Sequence, residues 1–112
     1  MLVIDSDNTI NLTRGDSCDI IVTIYDLNGD EYEIQTGDSV LFTIKINCET
    51  SDIIIQKDIT EDCVISLSHN DTKSLAYGSY VYDVQLTTAG GDVYTVIAPA
   101  VFNITKEVTF NA

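Results

Sequence analysis

The chain has 112 residues, 45% of them hydrophobic, and a formal net charge of −13. These values predict one acidic domain over residues 1–112 with enough apolar side chains for a core, and the length excludes a barrel enzyme and a doubly wound nucleotide-binding domain. Five basic residues against 18 acidic ones exclude a protein that binds the nucleic-acid backbone, and the apolar content excludes a disordered acidic tail.

The N-terminal residues 1–7 contain neither a basic segment nor a long apolar one, so we predict no signal peptide. The longest apolar stretch covers residues 96–102 and is interrupted by Pro99. A membrane helix needs about 20 apolar residues. We therefore expect no membrane span and a protein that is made inside a cell.

The first half of the chain predicts three strands. Residues 18–25 are almost continuously apolar, which is typical of a central strand covered on both faces. Asn28-Gly29 is a strong hairpin signal and predicts that residues 20–26 pair with residues 31–35. A strand over residues 39–47 has period two, and its core-facing positions are Val40, Phe42, Ile44 and Ile46.

The middle of the chain predicts a second hairpin and a helix. Residues 53–58 and 63–68 are expected to pair around a turn at residues 59–62. Ser68 and Asp71 have the spacing of a capping box, which predicts one short helix near residues 69–77 that ends before Gly78. We expect Leu75 to point from this helix into the core.

The last third predicts a hairpin and a closing strand. Residues 79–88 are joined to residues 93–98 by a glycine-containing turn. Pro99 marks a bend or an edge position, and residues 101–105 form the closing strand. In the strand over residues 79–88, the positions predicted to face the core are Tyr80, Tyr82, Val84 and Leu86.

Together these elements predict an all-β fold: an antiparallel, immunoglobulin-like β-sandwich of about seven to eight strands with one short helix. The chain has no tryptophan and no cysteine pair with the spacing of an antibody domain, so the likeness is to the architecture rather than to antibodies.

We predict no catalytic or cofactor-binding residue. His69 is the only histidine, and we expect it in solvent in the first helical turn, away from the nucleophile and acid of a hydrolytic triad. Gly90-Gly91 is too short to hold a phosphate. The three cysteines are expected to be free thiols, with one disulfide plus a spare thiol as the alternative; they are Cys18, Cys48 and Cys63.

We also predict no metal-binding residue. Residues 5–8 begin like a calcium loop, but Ile10 and Asp16 stand where the loop's Gly and Glu belong. Arg14-Gly15-Asp16 spells a cell-adhesion tripeptide, yet a tight turn before a strand explains it more simply. Adventitious calcium is the alternative to a solvated acidic surface at three clustered carboxylates, Asp58, Glu61 and Asp62.

The six tyrosines could form a sugar-binding platform, but most occupy alternating strand positions, which favours packing. We expect Tyr80 or Tyr82 to make a corner-type hydrogen bond from its hydroxyl to nearby backbone.

The segment from Gly78 to Leu86 combines a glycine, the paired Tyr80 and Tyr82, and an Asp-x-x-Leu ending. With other segments between residues 10 and 108, it resembles a recurring domain of tailed-phage and prophage structural proteins, similar to the N-terminal domain of upper-baseplate proteins. In that family the domain usually heads a longer chain. The other matching segments are residues 13–17, 25–30, 40–45, 67–72, 91–96 and 102–105.

The resemblance implies a non-enzymatic module of a phage or prophage virion, located in the tail or baseplate and assembled in the bacterial cytoplasm. Its partners would be other tail or baseplate proteins, or further copies of itself, and neither nucleic acid nor membrane. The charge of −13 disfavours self-association and favours a basic partner. The alternative is an immunoglobulin-like carbohydrate- or ligand-binding module, which predicts grouped exposed aromatic side chains.

Overall fold

The computed structural model describes residues 2–107; Met1 and residues 108–112 of the predicted 1–112 domain, including Val108 at the end of the resemblance, lie outside the described residues. The described part contains eight strands and one short helix, which confirms the prediction of a mostly β fold. In chain order they are β1 (Leu2–Ile4), β2 (Ile10–Thr13), β3 (Cys18–Ile21), β4 (Ser39–Lys45), β5 (Ile55–Asp58), β6 (Val64–Leu67), α1 (His69–Thr72), β7 (Gly78–Thr87) and β8 (Val93–Thr105).

The strands form two sheets. Six of them form a large sheet in the order β1-β2-β8-β7-β4-β5, and β3 and β6 form a small one. β2 runs parallel to β8, with Ile10 opposite Phe102, whereas the other paired strands are antiparallel. The prediction of a purely antiparallel fold is therefore wrong. β2 and β8 are far apart in the chain, so no hairpin turn fixes their relative direction.

Both sheets contribute to one apolar core. The alternation predicted for β4 and β7 is confirmed, because Phe42 and Val84 are completely buried and their neighbours on the same face are nearly so. The same cluster includes Ile65 and Leu67 from β6. Ile46 lies beyond the end of β4 and is 60% exposed, so its predicted core position is wrong.

Residues 18–25 do not form a central strand. β3 ends at Ile21, whose side chain is 79% exposed, while Val22 and Ile24 are buried. The predicted Asn28-Gly29 turn is present, since Asp26 N donates to Asp30 O at 2.8 Å. However, the hairpin around it is reduced to one bridge between Tyr25 and Glu31.

The predicted hairpin of residues 53–58 and 63–68 is wrong. β5 pairs with β4, and β6 pairs with β3. Ile59 lies between them, is 3% exposed, and donates its backbone N–H to Val40 O at 2.9 Å. The buried Ile59 anchors the segment that passes from the large sheet to the small sheet. This connection therefore joins two sheets rather than two neighbouring strands of a hairpin.

α1 has the predicted N-terminus but is shorter than predicted. Ser68 is the N-cap, and the capping box is complete: Asp71 N donates to Ser68 Oγ at 3.2 Å and Ser68 N to Asp71 Oδ2 at 2.8 Å. The helix ends at the C-cap Lys73. Gly78 is the first residue of β7 rather than a helix terminator. Leu75 packs against the core as predicted.

β7 and β8 form the predicted hairpin, but β8 is one strand that continues through Pro99. Tyr82 lies opposite Ala100 and Val84 opposite Ile97, so β8 has one extra residue beside Asp83, and the register shifts again before Gln85. Such bulges accommodate a proline. β2 begins to pair with β8 only at Phe102, so the edge position predicted for Pro99 is confirmed.

Candidate functional site

The Arg14-Gly15-Asp16 segment forms a tight turn, as predicted, with φ of +86° at Gly15. The Arg14 guanidinium lies 2.9 Å and 3.2 Å from the two carboxylate oxygens of Glu107, and 4.2 Å from the centroid of the Tyr77 ring. Hydrogen bonding from Arg14 lowers the pKa of Glu107. The arginine therefore ties the turn before β3 to the residues that follow β8.

His69 lies in the first turn of α1, as predicted, but it is partly buried rather than in solvent. Its Nδ1 is 2.6 Å from the carbonyl oxygen of Gly15. Its Nε2 is buried and has no hydrogen-bond partner among the described residues. A Cβ at Gly15 would lie 3.4 Å from the imidazole ring, so the ring packs directly on the turn.

The structure does not gather Asp58, Glu61 and Asp62 into a cation site. Asp58 Oδ1 accepts hydrogen bonds from the backbone and hydroxyl of Thr60, and these bonds lower the pKa of Asp58. Asp62 Oδ1 accepts from Val64 N at 3.0 Å. Across residues 2–107, no group of three or more His, Cys, Asp or Glu side chains is placed to hold a metal ion. The three cysteines are free thiols.

The tyrosines divide between the core and the surface. The corner prediction is confirmed: the Tyr80 hydroxyl donates to Ala76 O at 2.7 Å, and the Tyr82 hydroxyl donates to Asn8 O. By contrast, Tyr25 and Tyr94 are 66% and 56% exposed. The two tyrosines of β7 therefore have a packing role, while Tyr94 is an exposed residue of β8.

β8 has a long edge that has no strand partner among residues 2–107. β7 pairs with β8 along its length, whereas β2 covers only Phe102–Thr105. We call residues 93–101 the open edge. They include no charged residue, and Val93 at their start is 57% exposed. A strand of this length spans about 30 Å.

Acidic side chains flank the open edge. Asp92 directly precedes it. At the other end, burial and, to a lesser extent, the charge of Asp7 raise the pKa of Tyr82, which lies opposite Ala100. Asp7 lies three residues before Ile10, where β2 begins to pair with β8. The bulges, at Val96 and at residues 98–99, interrupt the edge in between, leaving its most regular backbone at residues 93–95.

A shallow groove of about 280 Å³ lies on the outer face of the large sheet, the face opposite the core. Its floor is a row across three strands, because Asp83 of β7 lies opposite Thr43 of β4, and Thr43 lies opposite Gln56 of β5. One wall is the loop after β4, and another is the bulge of β8. The lining residues are Thr43, Lys45, Asn47, Cys48, Ile53, Gln56, Val81, Tyr82, Asp83, Gln85 and Pro99.

The loop wall of the groove is held in place by hydrogen bonds. Asn47 Oδ1 accepts from the backbone N–H groups of Glu49 and Thr50, at 3.1 and 3.0 Å. Lys45 Nζ donates to Thr50 O at 3.1 Å. The ammonium of Lys45 is therefore directed to the loop, and it acts on Asp83 only through its charge.

The sequence did not indicate this groove. Period two correctly predicted that Thr43, Asp83 and Gln85 face away from the core. Their grouping with Gln56 depends on β5 pairing with β4, whereas the sequence suggested that β5 pairs with β6. Pro99 was a usable signal for an irregular edge, but its position in the bulge beside Asp83 depends on the register of the hairpin.

Comparison with protein-family models, with curated proteins and with solved structures found no match to this chain. Within residues 2–107, no helix is long and apolar enough to cross a membrane.

Proposed function

We propose that this protein is a non-enzymatic structural module of a phage or prophage tail or baseplate, and that it acts by binding other virion proteins. The observation that carries the proposal is the open edge of β8. Unpaired backbone groups on an uncharged strand can add a strand from a partner, with affinity from main-chain hydrogen bonds and specificity from alternate side chains. The resemblance around Gly78 to Leu86 supplies the virion context, and this segment lies in β7.

The fold within this proposal is an immunoglobulin-like sandwich. In that fold strands G, F, C and C′ form one sheet, while B and E belong to the other. The neighbours β8, β7, β4 and β5, together with the pair β3 and β6, reproduce this arrangement in chain order. The hydroxyl of Tyr80, near the start of β7, bonds to Ala76 O four residues upstream, which supports a tyrosine corner.

Charge supports a partner that is different from the protein itself. The net charge of −13 opposes close approach of two copies, and Asp7 and Asp92 flank the open edge. A partner strand with basic residues near its ends would complement this surface and associate faster at low salt.

The test compares Thr95→Lys with Thr105→Lys in particles from a bacterium that carries the gene. Thr95 lies on the open edge, where a lysine side chain hinders strand addition. Thr105 is an exposed residue of the same strand, but β2 already pairs with it. Both variants add the same charge, and their thermal unfolding midpoints show whether they fold.

We expect wild type and Thr105→Lys in purified tails at a constant ratio to the major tail protein by mass spectrometry, and Thr95→Lys to be lost. Absence of the wild-type protein from the particles would exclude a virion role. Equal incorporation of the two variants would show that the open edge is not the contact.

The groove favours a second candidate, an immunoglobulin-like carbohydrate- or ligand-binding module. It is concave and has hydrogen-bonding groups on its floor. A glycan array with wild-type protein separates the two candidates, because saturable binding to one glycan class, by a protein that tail particles lack, would favour the second.

A further inference from the structure

We propose that the outer-face groove binds an arginine side chain of a partner protein, with the Asp83 carboxylate as its anchor. This inference rests on the proposed assembly function, because it specifies the chemistry of one partner contact. It concerns the floor of the groove, which β4, β5 and β7 supply, and Asp83→Asn tests it without altering any residue of the open edge.

The carboxylate of Asp83 is partly desolvated. Its side chain lines the groove, and no hydrogen bond or ion pair joins it to the other residues between 2 and 107. Desolvation raises its pKa, and the charge of Lys45 offsets this only in part. A carboxylate that is partly removed from water and lacks a donor gains free energy when a cation supplies one.

The bulge in β8 lies beside Asp83, whose side chain is partly exposed. Tyr82 is opposite Ala100 and Val84 is opposite Ile97, so the strand bulges beside Asp83 at residues 98–99. Pro99 contributes no N–H group at this point. Bulges commonly redirect side chains next to binding sites, and here the bulge forms one wall of the groove.

A row of oxygen acceptors lies beside Asp83 on the floor of the groove. Gln56 Nε2 donates to Thr43 Oγ1 at 3.1 Å, which leaves the Gln56 carbonyl oxygen as a free acceptor within the described residues. Residues directly opposite each other in a sheet are about 5 Å apart. Asp83, Thr43 and Gln56 therefore present several acceptors in one line across the groove.

A guanidinium matches this floor better than other cations. It has five N–H donors in a planar fork and is more weakly hydrated than an ammonium, so it loses less on entering a groove. A divalent metal needs several carboxylate or other oxygen ligands, and the floor has one carboxylate. The charge of −13 also favours a basic partner over an acidic or neutral one.

The experiment is a titration of the full chain, ¹⁵N-labelled, with N-acetyl-L-arginine amide, followed by NMR. We expect saturable shifts centred on the amides of Thr43, Gln56, Asp83 and Gln85, with millimolar affinity. Asp83→Asn should weaken binding by about tenfold or more, because it removes the charged acceptor. Asp92→Asn removes the same charge from the β7–β8 turn, outside the groove, and should bind like wild type.

Three further probes test the chemistry. N-acetyl-L-lysine amide should bind several-fold more weakly than the arginine probe, while calcium chloride and N-acetylglucosamine should give no saturable shift in the groove. Stronger binding of any of these three, or equal arginine affinity of wild type and Asp83→Asn, would overturn the proposal. If the arginine probe does not bind in the groove, while the Thr95→Lys variant is absent from purified particles, the groove contact is rejected and the assembly function is retained.

Discussion

β7 and β3 both carry apolar residues into the same core, yet they differ greatly in regularity. β7 has ten residues and pairs on both sides, with β4 and β8. β3 has four residues and, within the described chain, pairs only with β6. The residues after β3 continue to bury every second side chain without forming a regular ladder. Neighbouring strands, rather than apolar content, therefore determine how far each strand extends.

The largest expected effect is in the large sheet. Phe42 is completely buried in β4, and its ring centroid is 5.7 Å from that of Tyr82. Phe42→Ala should lower the free energy of unfolding by about 3–5 kcal/mol, because it leaves a cavity among tightly held neighbours. Urea unfolding followed by circular dichroism measures the loss.

The exposed Val93 provides the control for this change. Val93→Ala should alter the free energy of unfolding by less than about 0.5 kcal/mol. A loss below about 1 kcal/mol for Phe42→Ala would mean that β4 and β7 do not share the core described here.

The small sheet permits a comparison of two isoleucines in paired strands. Ile65 of β6 is 1% exposed and Ile21 of β3 is 79% exposed, although both lie in apolar runs of the sequence. Ile65→Ala should cost about 2–5 kcal/mol and Ile21→Ala less than about 0.5 kcal/mol, as measured by urea unfolding. Similar costs for the two variants would show that β3 is covered on both faces, as the sequence alone suggests.

The sequence predicted the elements whose signals are local. Alternation in β4 and β7, the capping box of Ser68 and Asp71, and the Asn28-Gly29 turn all depend on residues close together in the chain. The sheet partners of β5 and β6 and the parallel direction of β2 could not be predicted in this way. They depend on pairing between residues far apart in the chain, such as Ile10 and Phe102. A single sequence contains no signal for such pairs.

The same distinction applies to the candidate site. The sequence shows that Asp83 faces away from the core, and it places Pro99 near an edge. It cannot place Pro99 beside Asp83, because that proximity results from two bulges in the β7–β8 ladder. Grooves formed by strand register are therefore harder to predict than motifs formed by adjacent residues.

Two turn glycines allow a comparison between a turn that packs against another turn and a turn that is isolated. Gly37 and Gly29 have φ of +91° and +82°, but a Cβ at Gly37 would lie 2.7 Å from the Cβ of Ala89, while a Cβ at Gly29 would meet nothing within 4 Å. Gly29→Ala should cost about 1–2 kcal/mol from backbone strain. Gly37→Ala should cost more, since the β7–β8 turn must also move.

Thermal and urea unfolding of both variants measures the difference. Equal costs would indicate that residues 36–38 do not pack against the β7–β8 turn, contrary to the hydrogen bond from Ala89 N to Asp38 Oδ1 at 3.2 Å.

The smallest expected effect concerns Asp71, which links α1 to the large sheet. Its carboxylate accepts from Ser68 N at 2.8 Å and contacts Lys57 Nζ at 3.1 Å, and hydrogen bonding to the Ser68 backbone is the main cause of its lowered pKa. Because the pKa is lower in the folded state, the stabilisation is complete above the unfolded value of about 3.9 and is lost as pH falls through the folded value.

Asp71→Asn should lower the free energy of unfolding by about 1 kcal/mol at pH 7, and the difference in this free energy between variant and wild type should close below about pH 4. Urea unfolding from pH 7 to pH 2.5 measures this gap, with Asp92→Asn as the control for loss of one negative charge. A gap that persists at pH 2.5 would mean that the side chain stabilises α1 through its shape and neutral hydrogen bonds rather than through its charge.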